Sequence, residues 1–170
     1  AEAVAELSAA YVFLRNLEDD QLDAIRASGG VAQMVAFRDY VGEPDPAIRE
    51  GQQTLRQKHF PEGWAKATPE AGMAYMAELR ELRRKNRDVT VSDFVDHIDY
   101  AVRRIGIEHV GIASDFDGGG GVSGWDDASE TANVTRELMR RCYTEEQIRA
   151  LWGGNLLRVM RAVEAKAKPH

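Results

Sequence analysis

One run of residues constrains the fold of this chain more than any other: VSDFVDHIDYAVRRIGIEHVGIASDFDGGGG, residues 91–121. Ser92 reads as an N-cap for a helix in which Phe94, Val95, Ile98, Ala101, Val102 and Ile105 recur at i, i+1, i+4, i+7, i+8 and i+11, the stripe of a helix with one buried face. Gly106 ends that helix. Residues 107–114 then read as an apolar strand that runs straight into Asp115, Asp117 and four glycines. Helix, glycine stop and buried strand make an α/β unit, and α/β folds bind ligands at the carboxyl ends of their strands. Asp115 therefore stands where chemistry is expected.

An earlier stretch repeats the pattern. NLEDDQLDAIRASGG, from Asn16, predicts a short helix with acids in its first turn, where they suit the positive end of the dipole, and Gly29-Gly30 as its stop. VAQMVAF, residues 31–37, follows as a buried strand. Residues 42–88 differ. Pro44, Pro46, Pro61 and Gly63 break up the first part, which reads as an irregular excursion with a short helix near 47–58, either a lid or interface element or a plain surface insertion. Residues 69–84 predict a helix with Pro69 in its first turn and Met73, Met76, Leu79 and Leu82 on a core-facing side. The last third is helical: 127–141, then a capping box from Thr144 and Gln147, then a helix capped by Asn155 with Leu156, Leu157, Val159, Met160 and Val163 turned inward. No linker divides the chain, so 1–170 is expected to be a single domain.

Composition narrows the function. The chain has 170 residues, 44% of them hydrophobic and 29% charged, enough for one sizeable core. A net charge of -6 argues against nucleic acid and anionic membrane surfaces, which call for clustered basic residues. No apolar run approaches the roughly 20 residues of a membrane helix. The first residues, AEAVAELSAAYVFLRN, lack the pattern of a signal peptide. Cys142, the single cysteine, has no partner for an internal disulfide and reads as a packed helix thiol.

Two carboxylates two apart on an extended backbone point to opposite sides, so of Asp115 and Asp117 one faces a pocket, and we assign that place to Asp115. A calcium loop beginning D-x-D-x-x-G would need an entering helix, an oxygen donor at its fifth position and Glu at its twelfth; here a strand enters, Gly119 holds the fifth and Asp126 the twelfth. Phosphate cradling by Gly118 to Gly121 would call for a Gly-Lys-Ser/Thr sequence and a helix N-terminus behind it. A tight turn accounts for the glycines better, with Trp125 packing nearby. His59, His97, His109 and His170 contain no pair at metal-binding spacing, so no metal site can be assembled from them.

Residues 91–121, followed by YTEEQIRALWGGNLLRVMRAVE, resemble the C-terminal part of the membrane (renal) dipeptidase family, zinc metallopeptidases related to the amidohydrolases. RNLEDDQLDAIRASGGVAQMVAF resembles the segment after that family's last zinc-binding histidine. The resemblance implies an α/β fold, the C-terminal part of a (β/α)8 TIM-type barrel that is incomplete in this chain, since such a barrel typically takes about 250 residues. It implies a hydrolase that cleaves dipeptides with two zinc ions. Asp115 would be the acidic residue at the end of the last strand that shuttles the proton, Arg15 the arginine that grips the substrate's carboxylate, and Tyr40 an aromatic residue beside the pocket.

The partners implied are a dipeptide and the missing N-terminal half of the barrel, and a homodimer is compatible. The family's zinc ligands stand almost wholly on that missing half, so the chain alone is expected to be inactive. The last ligand should come shortly before Arg15 in a Ser-His-Ser setting, where this sequence reads AEAVAEL. A non-catalytic, metal-free binding module of the same fold is the competing expectation. The resemblance points outside the cytoplasm; the sequence itself assigns no compartment.

Overall fold

A computed structural model describes residues 16–86 and 88–167. In chain order its elements are α1 (Asp19–Ser28), β1 (Ala32–Val35), α2 (Arg38–Val41), α3 (Pro46–His59), α4 (Pro69–Lys85), α5 (Val91–Ile105), β2 (Val110–Ala113), α6 (Thr131–Arg140), α7 (Glu145–Arg149) and α8 (Asn155–Glu164). They fall into two compact units. Glu43–Val89 forms one, and the residues up to Gly42 together with those from Thr90 onward form the other.

The larger unit is built on β1 and β2, which pair in parallel with Ala32 opposite Val110 and Val35 opposite Ala113. Both strands are shorter than the apolar runs suggest. β1 stops because Phe37 already receives hydrogen bonds from the Tyr40 and Val41 amides and opens α2. β2 starts late because residues 107–109 turn in a 3₁₀ helix, with His109 N donating to Gly106 O at 3.2 Å. Among the described residues these two are the whole sheet, and each leaves one edge unpaired.

α5 packs on this sheet with the expected stripe: Phe94, Val95, Ile98, Ala101 and Ile105 are buried, alongside Val110, Val134 and Leu138. Its cap is Thr90 rather than Ser92. The Thr90 hydroxyl accepts from Asp93 N at 3.3 Å while Asp93 Oδ2 accepts from Thr90 N at 2.8 Å, a reciprocal capping box that outcompetes a lone serine. α1 begins with Gln21 Oε1 accepting from Glu18 N and ends at Gly29, whose φ of +74° is the left-handed stop read from the sequence. Thr144 and Gln147 form their capping box as expected.

Asn155 does not cap α8, because its own backbone is already helical, φ −66° and ψ −43°, beyond a kink at Gly153, whose φ is +156°. Its buried amide instead donates to Ile107 O and Val110 O, both at 2.7 Å, fastening the start of α8 to the start of β2. The apolar face expected to turn inward lies open: Leu156, Leu157, Met160 and Val163 are 42%, 49%, 48% and 64% exposed. Periodicity reports which face of a helix seeks burial; it does not say whether the partner lies in the same chain. Cys142 is exposed too, just past α6 at a φ of +65°, rather than packed.

In the smaller unit, α3 covers the helix read near 47–58 and adds one residue at each end. Asp45 accepts from Ala47 N at 2.9 Å and Pro46 occupies the first helical position, where a missing N–H costs nothing. α4 buries Ala71, Tyr75, Leu79 and Leu82 against Leu55 and Phe60, with Tyr75 and Phe60 ring centroids 5.1 Å apart. Tyr75 takes the core position that the methionines were expected to fill, and Met73 is 67% exposed.

Candidate active site

Because β1 and β2 are parallel, their carboxyl ends lie on one side, and the segments that follow them interlock there. Ala36 N donates to Ala113 O at 2.9 Å, carrying the ladder one step beyond the strands. The chain after β2 then loops out through Asp115 and returns to the end of β1, where Gly121 N donates to Ala36 O at 2.6 Å and Phe37 bridges Gly121.

Asp115 is the pivot of that loop. The strand has ended by Ala113, so the alternation expected of an extended backbone does not apply; Asp115 adopts the left-handed conformation, φ +55° and ψ +32°, and a 3₁₀ turn follows over Phe116–Gly118. Its carbonyl accepts from both Gly118 N at 3.0 Å and Gly120 N at 2.6 Å. Its carboxylate side is exposed to solvent. The glycines are required by close approach: a Cβ on Gly118 would stand 2.3 Å from Asp115 Oδ1, and one on Gly120 would stand 2.1 Å from Ser114 O. Beyond the loop Trp125 is buried, as read from the sequence, with Phe116 and Trp152 edge-on to it at 5.4 and 5.7 Å and its Nε1 donating to Thr131 at 3.1 Å.

Tyr40 stands on α2 at the same end of the sheet, half-buried, its ring 4.7 Å from Phe37 and its carbonyl accepting from Asn16 Nδ2 at 2.8 Å. Arg15 and the side chain of Asp117 lie outside the described residues, as do the position of the expected zinc-ligand histidine and His170. A residue that the sequence reading passed over joins the two loops. Arg38 donates through Nη1 to Gly121 O at 2.7 Å and through Nη2 to Asp126 Oδ1 at 2.8 Å. The sequence reading gives Arg38 no role, and Asp126 only that of the twelfth position in a rejected calcium loop. Eighty-eight residues separate them, and no local pattern announces such a pair.

The described histidines are each engaged at one ring nitrogen: His97 with Val41 O at 2.9 Å, His109 with Gly30 O at 2.8 Å, and His59 with Glu78 at 3.1 Å. Among the described residues no group of three or more His, Cys, Asp or Glu side chains is arranged to hold a metal ion. These residues do not by themselves fit a zinc centre. No described helix is long and apolar enough to cross a membrane.

A cavity of about 610 Å³ opens along β1 between α1 and α5, lined by Leu22, Gln33, Met34, Tyr40, Phe94 and His97 among others. Asp115 does not line it. Three consecutive residues of β1, Gln33, Met34 and Val35, contribute to its lining, which is mostly apolar.

Comparison with known proteins places the chain in a family. The family model described as membrane dipeptidase (peptidase family M19) matches residues 4–170. Dipeptidase ataJ of Aspergillus terreus is 44% identical over 96 residues, covering 55% of this chain and 23% of that protein. The uncharacterized dipeptidase C965.12 of Schizosaccharomyces pombe is 28% identical over 172 residues, covering 98% of this chain and 32% of that one. A crystal structure of the probable dipeptidase PvdM from Pseudomonas aeruginosa superimposes with a TM-score of 0.60 at 36% identity, over 85% of this chain and 40% of PvdM. The chain thus spans a third or less of the curated relatives' length. With the family model covering nearly every residue, the chain belongs to the membrane dipeptidase family, peptidase family M19.

Proposed function

We propose that this chain is the C-terminal portion of a (β/α)8-barrel metallodipeptidase and that it supplies the substrate-binding and proton-transfer groups of a site that hydrolyses dipeptides. The observation that carries the reading is the placement of Asp115: an exposed carboxylate on a glycine-cradled left-handed turn at the carboxyl end of a parallel sheet, in a chain of this family. The two unpaired sheet edges and the open apolar face of α8 support a barrel completed by β/α units outside this chain.

Within that site Asp115 accepts the proton of the attacking water and returns it to the leaving amine, Arg15 binds the substrate carboxylate through its planar fork of donors, and Tyr40 lines the pocket. The two zinc ions of such an enzyme would be ligated by the remainder of the barrel, and no role in holding them is given to the described residues. The test is hydrolysis of Gly-Leu or Ala-Ala by the full-length gene product, with zinc measured on the same sample. Asp115→Asn is expected to lower kcat by about 10²- to 10⁴-fold, the usual contribution of a general acid–base group, with zinc retained. A full-length protein that binds no zinc and cleaves no dipeptide would leave the metal-free binding module as the correct reading.

A further inference from the structure

We infer that Arg38 is a positioning residue for the proposed catalytic loop: its guanidinium straps the return of the Asp115 loop to the end of β1 and so fixes where the Asp115 carboxylate stands. The inference rests on the dipeptidase reading for its kinetic consequence and on geometry alone for its structural one.

The loop leaves the sheet at Ala113 and comes back at Gly121, and both points are tied to the same short segment after β1. Ala113 O is held by Ala36 N, at 2.9 Å, and Gly121 N is held by Ala36 O, at 2.6 Å. Arg38 then closes the return side, with one arm of its fork on Gly121 O and the other on Asp126 Oδ1. Its side chain is only 10% exposed and that of Asp126 15%, so the pair works with little screening by water. Asp126 is itself held, its amide donating to Glu130 Oε2 at 2.7 Å. Gly121, at a φ of +116°, lies against Asp126, where a Cβ would come within 3.3 Å of the Asp126 Cα. A planar fork can satisfy a carbonyl and a carboxylate at once; a lysine ammonium carries the charge without that geometry. Between the two tied points stands Asp115 in a left-handed conformation, φ +55°.

The experiment uses the full-length enzyme with Arg38→Ala and Arg38→Lys, assayed for dipeptide hydrolysis, zinc content and hydrogen exchange of the peptide spanning residues 114–121. Loss of the strap is expected to raise exchange in that peptide in both variants. It is also expected to lower kcat on the order of 100-fold in Arg38→Ala, the scale of a displacement of about 1 Å at a reacting group, and less in Arg38→Lys, with KM within about threefold and zinc unchanged. Unchanged exchange overturns the inference, as does a kcat within about twofold of wild type in Arg38→Ala when Asp115→Asn lowers kcat at least about 100-fold. A fall in kcat that merely follows zinc loss or unfolded protein, and is the same in both variants, overturns it too. A wild-type protein without dipeptidase activity sinks the dipeptidase reading and the kinetic role together, and the exchange measurement then still decides whether Arg38 is the strap.

Discussion

Asp115 occupies a backbone conformation that costs most side chains roughly 1–2 kcal/mol and that Asp and Asn tolerate best, because a short polar side chain can hydrogen-bond locally. This makes two substitutions informative together. Asp115→Asn keeps the tolerance for a positive φ and removes the proton acceptor, so kcat is expected to fall by about 10²- to 10⁴-fold with the thermal midpoint nearly unchanged. Asp115→Ala removes both, and should cost about 1 kcal/mol of stability in addition, read as a lower unfolding midpoint in a denaturant titration. Equal stabilities in the two variants would mean that the turn exacts no cost from an ordinary side chain. Arg15 calls for a different measurement. A bidentate, charge-assisted grip on a carboxylate is worth roughly 1.5–3 kcal/mol, so Arg15→Ala in the full-length enzyme should raise KM for free dipeptides by at least about tenfold. An unchanged KM would remove it from the site.

Between elements, α5 and α6 are joined by one cation. Arg141 reaches Asp96 at 2.5 Å, Asp99 at 2.6 Å and Glu137 at 2.8 Å, and also donates to Ser92 O. Burial works to lower its pKa, and the hydrogen bonds to Asp99, Glu137 and Asp96 more than offset it, so it stays charged. Glu137 is the titrating side of the clamp. Arg140 first, and Arg141 with it, bring its pKa from 4.5 down to about 2 against the opposing effect of burial. A depressed carboxylate contributes stability that is fully present above its ordinary pKa and is lost as pH falls through the folded value. The wild-type unfolding midpoint should therefore drop between pH 4.5 and about 2 more steeply than that of Glu137→Gln. Parallel pH profiles would show that the clamp is mechanically inert. The reach of Arg141 to Asp96 and Asp99 was not visible beforehand, because 45 and 42 residues separate them, whereas Glu137 meets Arg140 and Arg141 at the local i, i+3 and i, i+4 spacings. What could be read was local: the stripe of α5, the Gly29 stop and the Thr144 box each depend on residues within a few positions. Thr90 displaced Ser92 as a cap, and Tyr75 displaced Met73 in the core, because capping geometry and a neighbouring helix decide between candidates that the pattern leaves equal. The place of Asp115 just past the carboxyl end of β2 was legible for the same local reason, a strand running into carboxylates and glycines, whereas the tie from Arg38 to Gly121 and Asp126 was not.

At the scale of the whole molecule, three features call for a covering partner. α8 carries Leu156, Leu157, Met160 and Val163 on an open face, β1 and β2 each leave an edge unpaired, and a mostly apolar cavity runs beside β1. Unpaired edges and open apolar faces promote association, and a protein that kept them bare would be prone to aggregate. In the proposed barrel they are covered by further β/α units, whose presence is consistent with a chain that spans 40% of PvdM. Leu157→Ala separates the alternatives because alanine suits a helix as well as leucine does and only burial distinguishes them. In the 170-residue chain the change should alter stability by less than about 0.5 kcal/mol, as for an exposed site. In the full-length protein it should cost about 2–5 kcal/mol, the range for a buried leucine cut back to alanine. A small effect in both settings would mean that α8 faces solvent in the complete enzyme as well, and that its apolar stripe serves contacts made outside the barrel.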